Sequence, residues 1–182
     1  MSSSEMRPEL LTALIEEAGK KSSVLWLTYA GSERARPAWH VWLDGAAYVV
    51  AAGDPASAEQ PLPGLADVST ATVTMRAKDA RSRLVSWQAS VSRVAAGSEG
   101  WEAACKALRS ERLNAVESTT LPDQWAESAV IVRLRPTGEV PEHPGQMPSD
   151  EAAARPPETP ATTTGRLPWV IHRRPTKARK LS

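Results

Sequence analysis

Four basic residues crowd into eight positions and form the part of the sequence best suited to bind an anion: Arg76, Lys78, Arg81 and Arg83. Guanidinium and ammonium groups hold phosphates and carboxylates through charge-assisted hydrogen bonds. Two interpretations are open, an anion site and a solvated cluster at a strand end. The preceding proline-rich stretch, 53–69, favours the ligand role, because long loops inside compact domains are often functional.

Aromatic residues and a histidine mark a second stretch, residues 36–52. Trp39 and His40 could line a planar ligand, with Trp42 and Trp87 as further ring-stacking walls. Tryptophans on alternating strands more often pack in a core or an interface. His40 could hydrogen-bond a ligand or donate a proton. A lone histidine on such a strand, however, more often has a structural role. Both interpretations stay open, with packing favoured.

The spacing of the histidines and the cysteine indicates neither a metal site nor a catalytic cysteine. The three histidines, His40, His143 and His172, lie far apart, so we predict no metal site. The single cysteine, Cys105, falls on a helical apolar stripe and is expected to be buried. Residues 1–8 lack an apolar h-region, and no apolar run approaches the roughly 20 residues of a membrane span. With a single cysteine, these features predict a cytoplasmic protein.

Hydrophobic periodicity predicts the elements that would position these side chains. Asp44-Gly45 favours a tight hairpin turn, because it readily supplies positive φ angles. Helices are predicted from Met6 to Gly19 and from about Glu99 to Asn114, the second capped by Ser98. Alternation predicts six strands, over 23–30, 36–43, 47–52, 70–77, 83–94 and 129–134. Together these elements indicate a small antiparallel barrel.

The order and lengths of the elements resemble the FMN-binding split barrel of the pyridoxamine 5'-phosphate oxidase-like superfamily, including its deazaflavin-dependent actinobacterial relatives. The resemblance covers about residues 6–140; its most telling parts are Arg36-Pro37, the aromatic centre of the second predicted strand, Asp44-Gly45 and the strand-helix-strand ending. It implies a mainly β fold, a six-stranded antiparallel split β-barrel with two flanking helices. It also implies a homodimer with FMN at the subunit interface.

The resemblance further implies which residues would hold the flavin. Trp39, His40 and Val41 would line the isoalloxazine ring, and a Ser-x-Lys element after the third predicted strand would hold the phosphate. The corresponding run here is Ser57-Ala58-Glu59, so an acidic residue replaces the usual phosphate-binding lysine. No Lys or Arg occurs between Arg36 and Arg76. The phosphate donors are therefore expected to be Arg76, Lys78, Arg81 and Arg83, with help from Ser57 and Gln60.

Two functions follow as hypotheses. The first is an FMN- or deazaflavin-dependent oxidoreductase-like protein, which uses the flavin for hydride transfer to or from a small-molecule substrate. The second is a non-catalytic split-barrel protein that binds another anionic small molecule or a protein partner.

The C-terminal region differs in composition from the rest of the chain. From Pro141 to Pro168, both included, there are seven prolines, whereas residues 166–182 hold six basic residues and no acidic one. We predict a barrel domain over 1–140, a disordered proline-rich linker over 141–165 and a basic tail over 166–182. A short basic tail with one tryptophan is too little to support a nucleic acid as partner.

Overall fold

A computed structural model describes residues 6–52, 57, 59–78, 82–111 and 120–148. Its helices are α1 (Pro8–Lys21), α2 (Glu99–Ser110) and α3 (Leu121–Ser128). Its strands are β1 (Val24–Thr28), β2 (Arg36–Trp39), β3 (Val41–Leu43), β4 (Ala46–Ala52), β5 (Thr70–Arg76), β6 (Arg83–Arg93) and β7 (Ala129–Pro136). The predicted mainly β class is confirmed, with one strand and one helix more than expected.

All seven strands form one antiparallel sheet in the order β2-β1-β5-β6-β7-β4-β3. The two outermost strands, β2 and β3, are consecutive in the chain and are separated only by His40. The chain itself therefore joins the two edges, and the sheet curls into a nearly closed barrel. The predicted strand 36–43 is divided at His40 because its first half pairs with β1 and its second half with β4. That division accounts for the seventh strand.

The turn between β3 and β4 has the backbone geometry that its two residues predict. Asp44 has a φ of 47° and Gly45 a φ of 71°. Positive φ at both central residues is what a type I′ hairpin requires. Leu43 pairs with Ala46 directly beside the turn, so the register of the hairpin is fixed from its tip.

Strand β4 is buried on both faces, which explains its run of small and aliphatic residues. Val49, for example, belongs to the core inside the barrel, together with Trp87 of β6. Tyr48 and Val50 belong to a second core on the outside of the barrel. That second core packs against α2 and α3 through Leu108, Leu121 and Trp125, among others.

Helices α2 and α3 begin with residues that favour the start of a helix. Ser98 caps α2, as predicted, by accepting a hydrogen bond from the amide of Trp101 at 3.1 Å. The unpredicted α3 has proline in its first turn, a position that tolerates proline because the first amides of a helix lack partners. None of the helices that the structure describes combines the length and apolar character needed to cross a membrane.

The chain continues along β6 after β7 ends. The amide of Gln88 donates to the carbonyl of Glu139, and the amide of Ser86 donates to the carbonyl of Glu142, both at 2.9 Å. His143 is buried as well. Residues 141–148, assigned from composition to the start of the linker, thus include a segment that contacts the barrel. The rest of the predicted linker and the predicted basic tail lie outside the described residues.

Candidate functional site

A cleft of about 640 Å³ opens where β2 meets β3. We call it the lysine cleft. Its volume lies within the roughly 300–1,000 Å³ typical of small-molecule sites. Its walls come from the C-terminal ends of α1 and α2 and from the segment that follows β5. Its lining includes the charged residues Lys20, Lys21, Lys78 and Glu111, together with Trp39, His40, Val41 and Trp42.

The three lysines of the cleft differ in how their charges are balanced. Lys20 pairs with Glu16, and Lys21 pairs with Glu17, both at 2.5 Å and both one helical turn apart on α1. The hydrogen bond and the charge of Glu17 raise the pKa of Lys21. Lys78 is exposed and forms no ion pair with any residue that the structure describes. Lys78 is therefore the cation of the cleft most available to an anionic ligand.

His40 lies at the junction of β2 and β3 and is 3% exposed. Its Nε2 is 3.1 Å from the carbonyl oxygen of Gly19, and its amide donates to the carbonyl of Ser23 at 3.3 Å. Burial lowers the pKa of His40 from 6.5 to about 4, and the backbone groups of Gly19 and Ser23 near the ring offset only part of this effect. The imidazole is therefore neutral at physiological pH, with Nε2–H donating to Gly19. This bond fixes the end of α1 against the strand junction.

Trp42 forms a rigid wall of the lysine cleft. Its ring meets that of Trp87 edge to face, with centroids 6.2 Å apart and an interplanar angle of 86°. Gly19 also packs so closely on this indole that an added Cβ would lie 2.3 Å from Cε3 of Trp42. The indole is therefore held between the barrel core and the last turn of α1. Trp87 is fully buried and has the packing role that the sequence favours, whereas Trp42 packs on Trp87 and also lines the lysine cleft.

The side chain of Gln60 links β2 to β4 through hydrogen bonds. Its Nε2 donates to the carbonyls of Trp39 at 3.0 Å and Val50 at 3.1 Å, and its Oε1 accepts from the amide of Trp39. Its own carbonyl accepts from the amide of Ala52 at 2.8 Å. The side-chain amide expected to assist a phosphate is thus engaged by the main chain of two strands.

The loop position where the resemblance expects a lysine is also engaged within the protein. Oε1 of Glu59 accepts a hydrogen bond of 2.8 Å from Nε1 of Trp125, which is 1% exposed on α3. The hydroxyl of Ser57 accepts from the amide of Glu59 at 3.2 Å. Glu59 therefore links the loop after β4 to α3.

The three predicted anion-binding residues that the structure describes, Arg76, Lys78 and Arg83, make different contacts. Lys78 lines the lysine cleft, but Arg76 lies over the ring of Trp26, 4.5 Å from its centroid. Arg83 binds Glu142 at 2.6 Å. Burial would raise the pKa of Glu142, but hydrogen bonds from Ser86 and Arg83 outweigh it, and the net pKa is lowered. Arg81 lies outside the described residues.

Of the predicted site residues, the structure brings Trp39, His40, Val41 and Lys78 together in one cleft, and it places Ser57, Gln60, Arg76 and Arg83 in other contacts. Sequence reasoning missed Lys20 and Lys21. Their only local signal is their position in the last turn of α1, where lysines are common for reasons of helix electrostatics alone.

Comparison with protein-family models gives no match, and comparison with curated protein sequences gives none either. Solved structures do match. The heme storage protein HutZ from Vibrio cholerae superposes with a TM-score of 0.51 at 16% identity, over 74% of this chain and 94% of HutZ. The conserved hypothetical protein Rv2991 from Mycobacterium tuberculosis gives a TM-score of 0.51 at 14% identity, over 75% of this chain and 84% of Rv2991.

An FAD-binding protein from Mesorhizobium loti gives a TM-score of 0.44 at 13% identity, over 74% of this chain and 90% of that protein. At these identities the comparisons with HutZ and Rv2991 show the fold. This chain shares that fold along almost the whole length of HutZ.

Proposed function

We propose that this protein binds FMN in the lysine cleft and belongs to the flavin-dependent oxidoreductase-like split barrels. One observation carries the proposal: Trp39 and Val41, the residues expected to line the flavin ring, share a cleft of ligand size with Lys78. The fold shared with HutZ and Rv2991 is consistent with it.

The residues of the cleft suit the two ends of FMN. Trp39 and Trp42 offer aromatic surface to a planar ring, since offset and edge-to-face ring contacts are favourable. Lys78 offers an ammonium group whose charge has no partner among the described residues, which suits a phosphate. Lys20 and Lys21, already balanced by Glu16 and Glu17, would add hydrogen-bond donors at the rim.

When bound, FMN supplies hydride-transfer chemistry through its isoalloxazine ring, and the protein orients the ring and adjusts its surroundings. His40 contributes position here and no proton: its Nε2–H holds Gly19, and its low pKa keeps the ring neutral. Gln60 fixes the backbone of Trp39 on both its amide and its carbonyl. These bonds preorganise the wall against which a ring would lie.

We propose further that two copies of the chain pair through the outer face of β2, β1 and β5. The strand register aligns Pro37, Trp26 and Thr74 in one row across this face. Val24 is 41% exposed and pairs with Trp39 in the register of β1 and β2, so both project from the same face. Because Trp39 also lines the lysine cleft, a second copy on this face would lie beside the cleft and could close it.

A second candidate function is non-catalytic binding of another planar anionic molecule. The engagement of Glu59 by Trp125, where the resemblance expects a phosphate-binding lysine, favours this alternative. HutZ is by its name a heme storage protein, so heme is a concrete probe.

Titration separates the two candidates. If the protein binds FMN, it will quench FMN fluorescence with a saturable, stoichiometric curve, and dithionite will bleach the bound flavin. FMN fluorescence that stays unquenched, together with a saturable Soret change on adding heme, would instead support the non-catalytic alternative. Failure of both titrations would refute both functions for the lysine cleft.

A further inference from the structure

A second cleft, of about 370 Å³, lies between α1 and the end of β7. We call it the apolar cleft. Most of its wall is hydrocarbon or aromatic, contributed by Pro8, Leu11, Ile15, Trp42, Pro136 and Val140. It is thus chemically unlike the lysine cleft, with which it shares Trp42 as a common wall.

One uncompensated charge borders the apolar cleft. Arg135 is exposed at its edge and makes no ion pair with any residue in the described part of the chain. The other charged side chain of the lining, Glu16, is balanced by Lys20 at 2.5 Å. The cleft therefore combines an apolar wall with a single available guanidinium.

We propose that the apolar cleft is a binding site for a small organic monocarboxylate with an apolar body. The body would cover the surface of Leu11, Trp42 and Val140, and the carboxylate would bind Arg135. A planar guanidinium matches a carboxylate in a two-point geometry, and a single positive charge suits a single negative one. This site lies beyond the lysine cleft, and it does not depend on FMN binding there.

A pair of matched probes tests the proposal. We would titrate the full chain with 4-phenylbutyrate and with the uncharged 4-phenylbutyramide, following the indole N–H resonances by NMR and identifying that of Trp42 with Trp42→Phe. The proposal expects the carboxylate to bind at least about ten-fold more tightly than the amide, because only the carboxylate can form charge-assisted hydrogen bonds with Arg135. Arg135→Gln should bring the two affinities together.

Arg76→Gln is the matched control, since Arg76 is another exposed strand arginine that does not line this cleft. It should leave the preference for the carboxylate unchanged, as should Lys78→Gln. Equal affinities for the two probes, no binding of either, or an unchanged preference in Arg135→Gln would overturn the proposal. Arg135 is exposed, so its substitution should not prevent folding, and circular dichroism would confirm this. The lysine cleft could still bind FMN if this proposal failed.

Discussion

Replacing Gly19 with alanine should destabilise the protein, although the same change usually stabilises a helix. Alanine is favoured over glycine in a helix interior by about 1 kcal/mol. Here, however, the new Cβ would lie 2.3 Å from Cε3 and 2.6 Å from Cδ2 of Trp42. The indole has little room to retreat, because it also contacts the fully buried Trp87.

The magnitude follows from these two opposing effects. Overpacking a tight interior costs about 1–3 kcal/mol. A contact this short against a confined aromatic ring places the cost in the upper part of that range, and the helix preference offsets about 1 kcal/mol of it. We therefore expect Gly19→Ala to lower the free energy of unfolding by about 1–2 kcal/mol.

Urea unfolding followed by tryptophan fluorescence would measure this loss, and near-ultraviolet circular dichroism would detect movement of Trp42. Gly100→Ala is the matched control: it lies in α2, and its new Cβ would have no neighbour closer than 3.9 Å. We expect that variant to be as stable as the wild type or slightly more stable. A Gly19→Ala protein at least as stable as the wild type, with an unchanged tryptophan spectrum, would refute the described packing of α1 on Trp42.

Three further predictions concern the residues that hold the loop and the strand junction. Gln60→Ala should lower the free energy of unfolding by about 2–4 kcal/mol in urea, because buried backbone groups of β2 and β4 lose their partners. Glu59→Lys should cost about 1–3 kcal/mol by removing the acceptor for Trp125, whereas Glu59→Gln, which keeps an acceptor oxygen, should cost less. Stability should also fall by about 3 kcal/mol as the pH drops from 6.5 towards 4, because the unfolded chain protonates His40 in this range and the native chain, with its pKa of about 4, does not.

Each of these predictions has its own control. Gln124→Ala, which removes an exposed side chain from α3, should change stability by less than about 0.5 kcal/mol. If Glu59→Lys and Glu59→Gln unfold at the same urea concentration, the bond to Trp125 contributes nothing. His40→Gln should abolish the loss of stability between pH 6.5 and 4. Glu142 affects stability in a different pH range. Because folding lowers its pKa, the stability that Glu142 contributes is lost only below about pH 4.5.

The elements that local chemistry specifies were predictable from the sequence. Asp44-Gly45 fixes its hairpin through the φ angles it permits, and Ser98 caps α2 with its own hydroxyl. Strand alternation predicted β5 and β6 nearly to the residue. In each case the deciding interaction lies within a few residues of the pattern that signals it.

The site was less predictable because its decisive contacts join distant parts of the chain. Gln60 reaches Trp39 across 21 positions, and Glu59 reaches Trp125 across 66. No local pattern shows that Gln60 hydrogen-bonds the backbone of two strands and that Glu59 hydrogen-bonds a helix residue. Both side chains are therefore already engaged within the protein. The division of the predicted strand at His40 has the same origin, since it depends on which neighbours the two halves pair with.

The dissociation constant of FMN for Lys78→Gln, measured beside Arg76→Gln by fluorescence quenching, tests the central claim most directly. Lys78 lines the lysine cleft, whereas Arg76 stacks on Trp26. The account predicts at least about ten-fold weaker binding for Lys78→Gln, from the loss of one charge-assisted hydrogen bond, and wild-type affinity for Arg76→Gln. Equal affinity of Lys78→Gln and the wild type would contradict it.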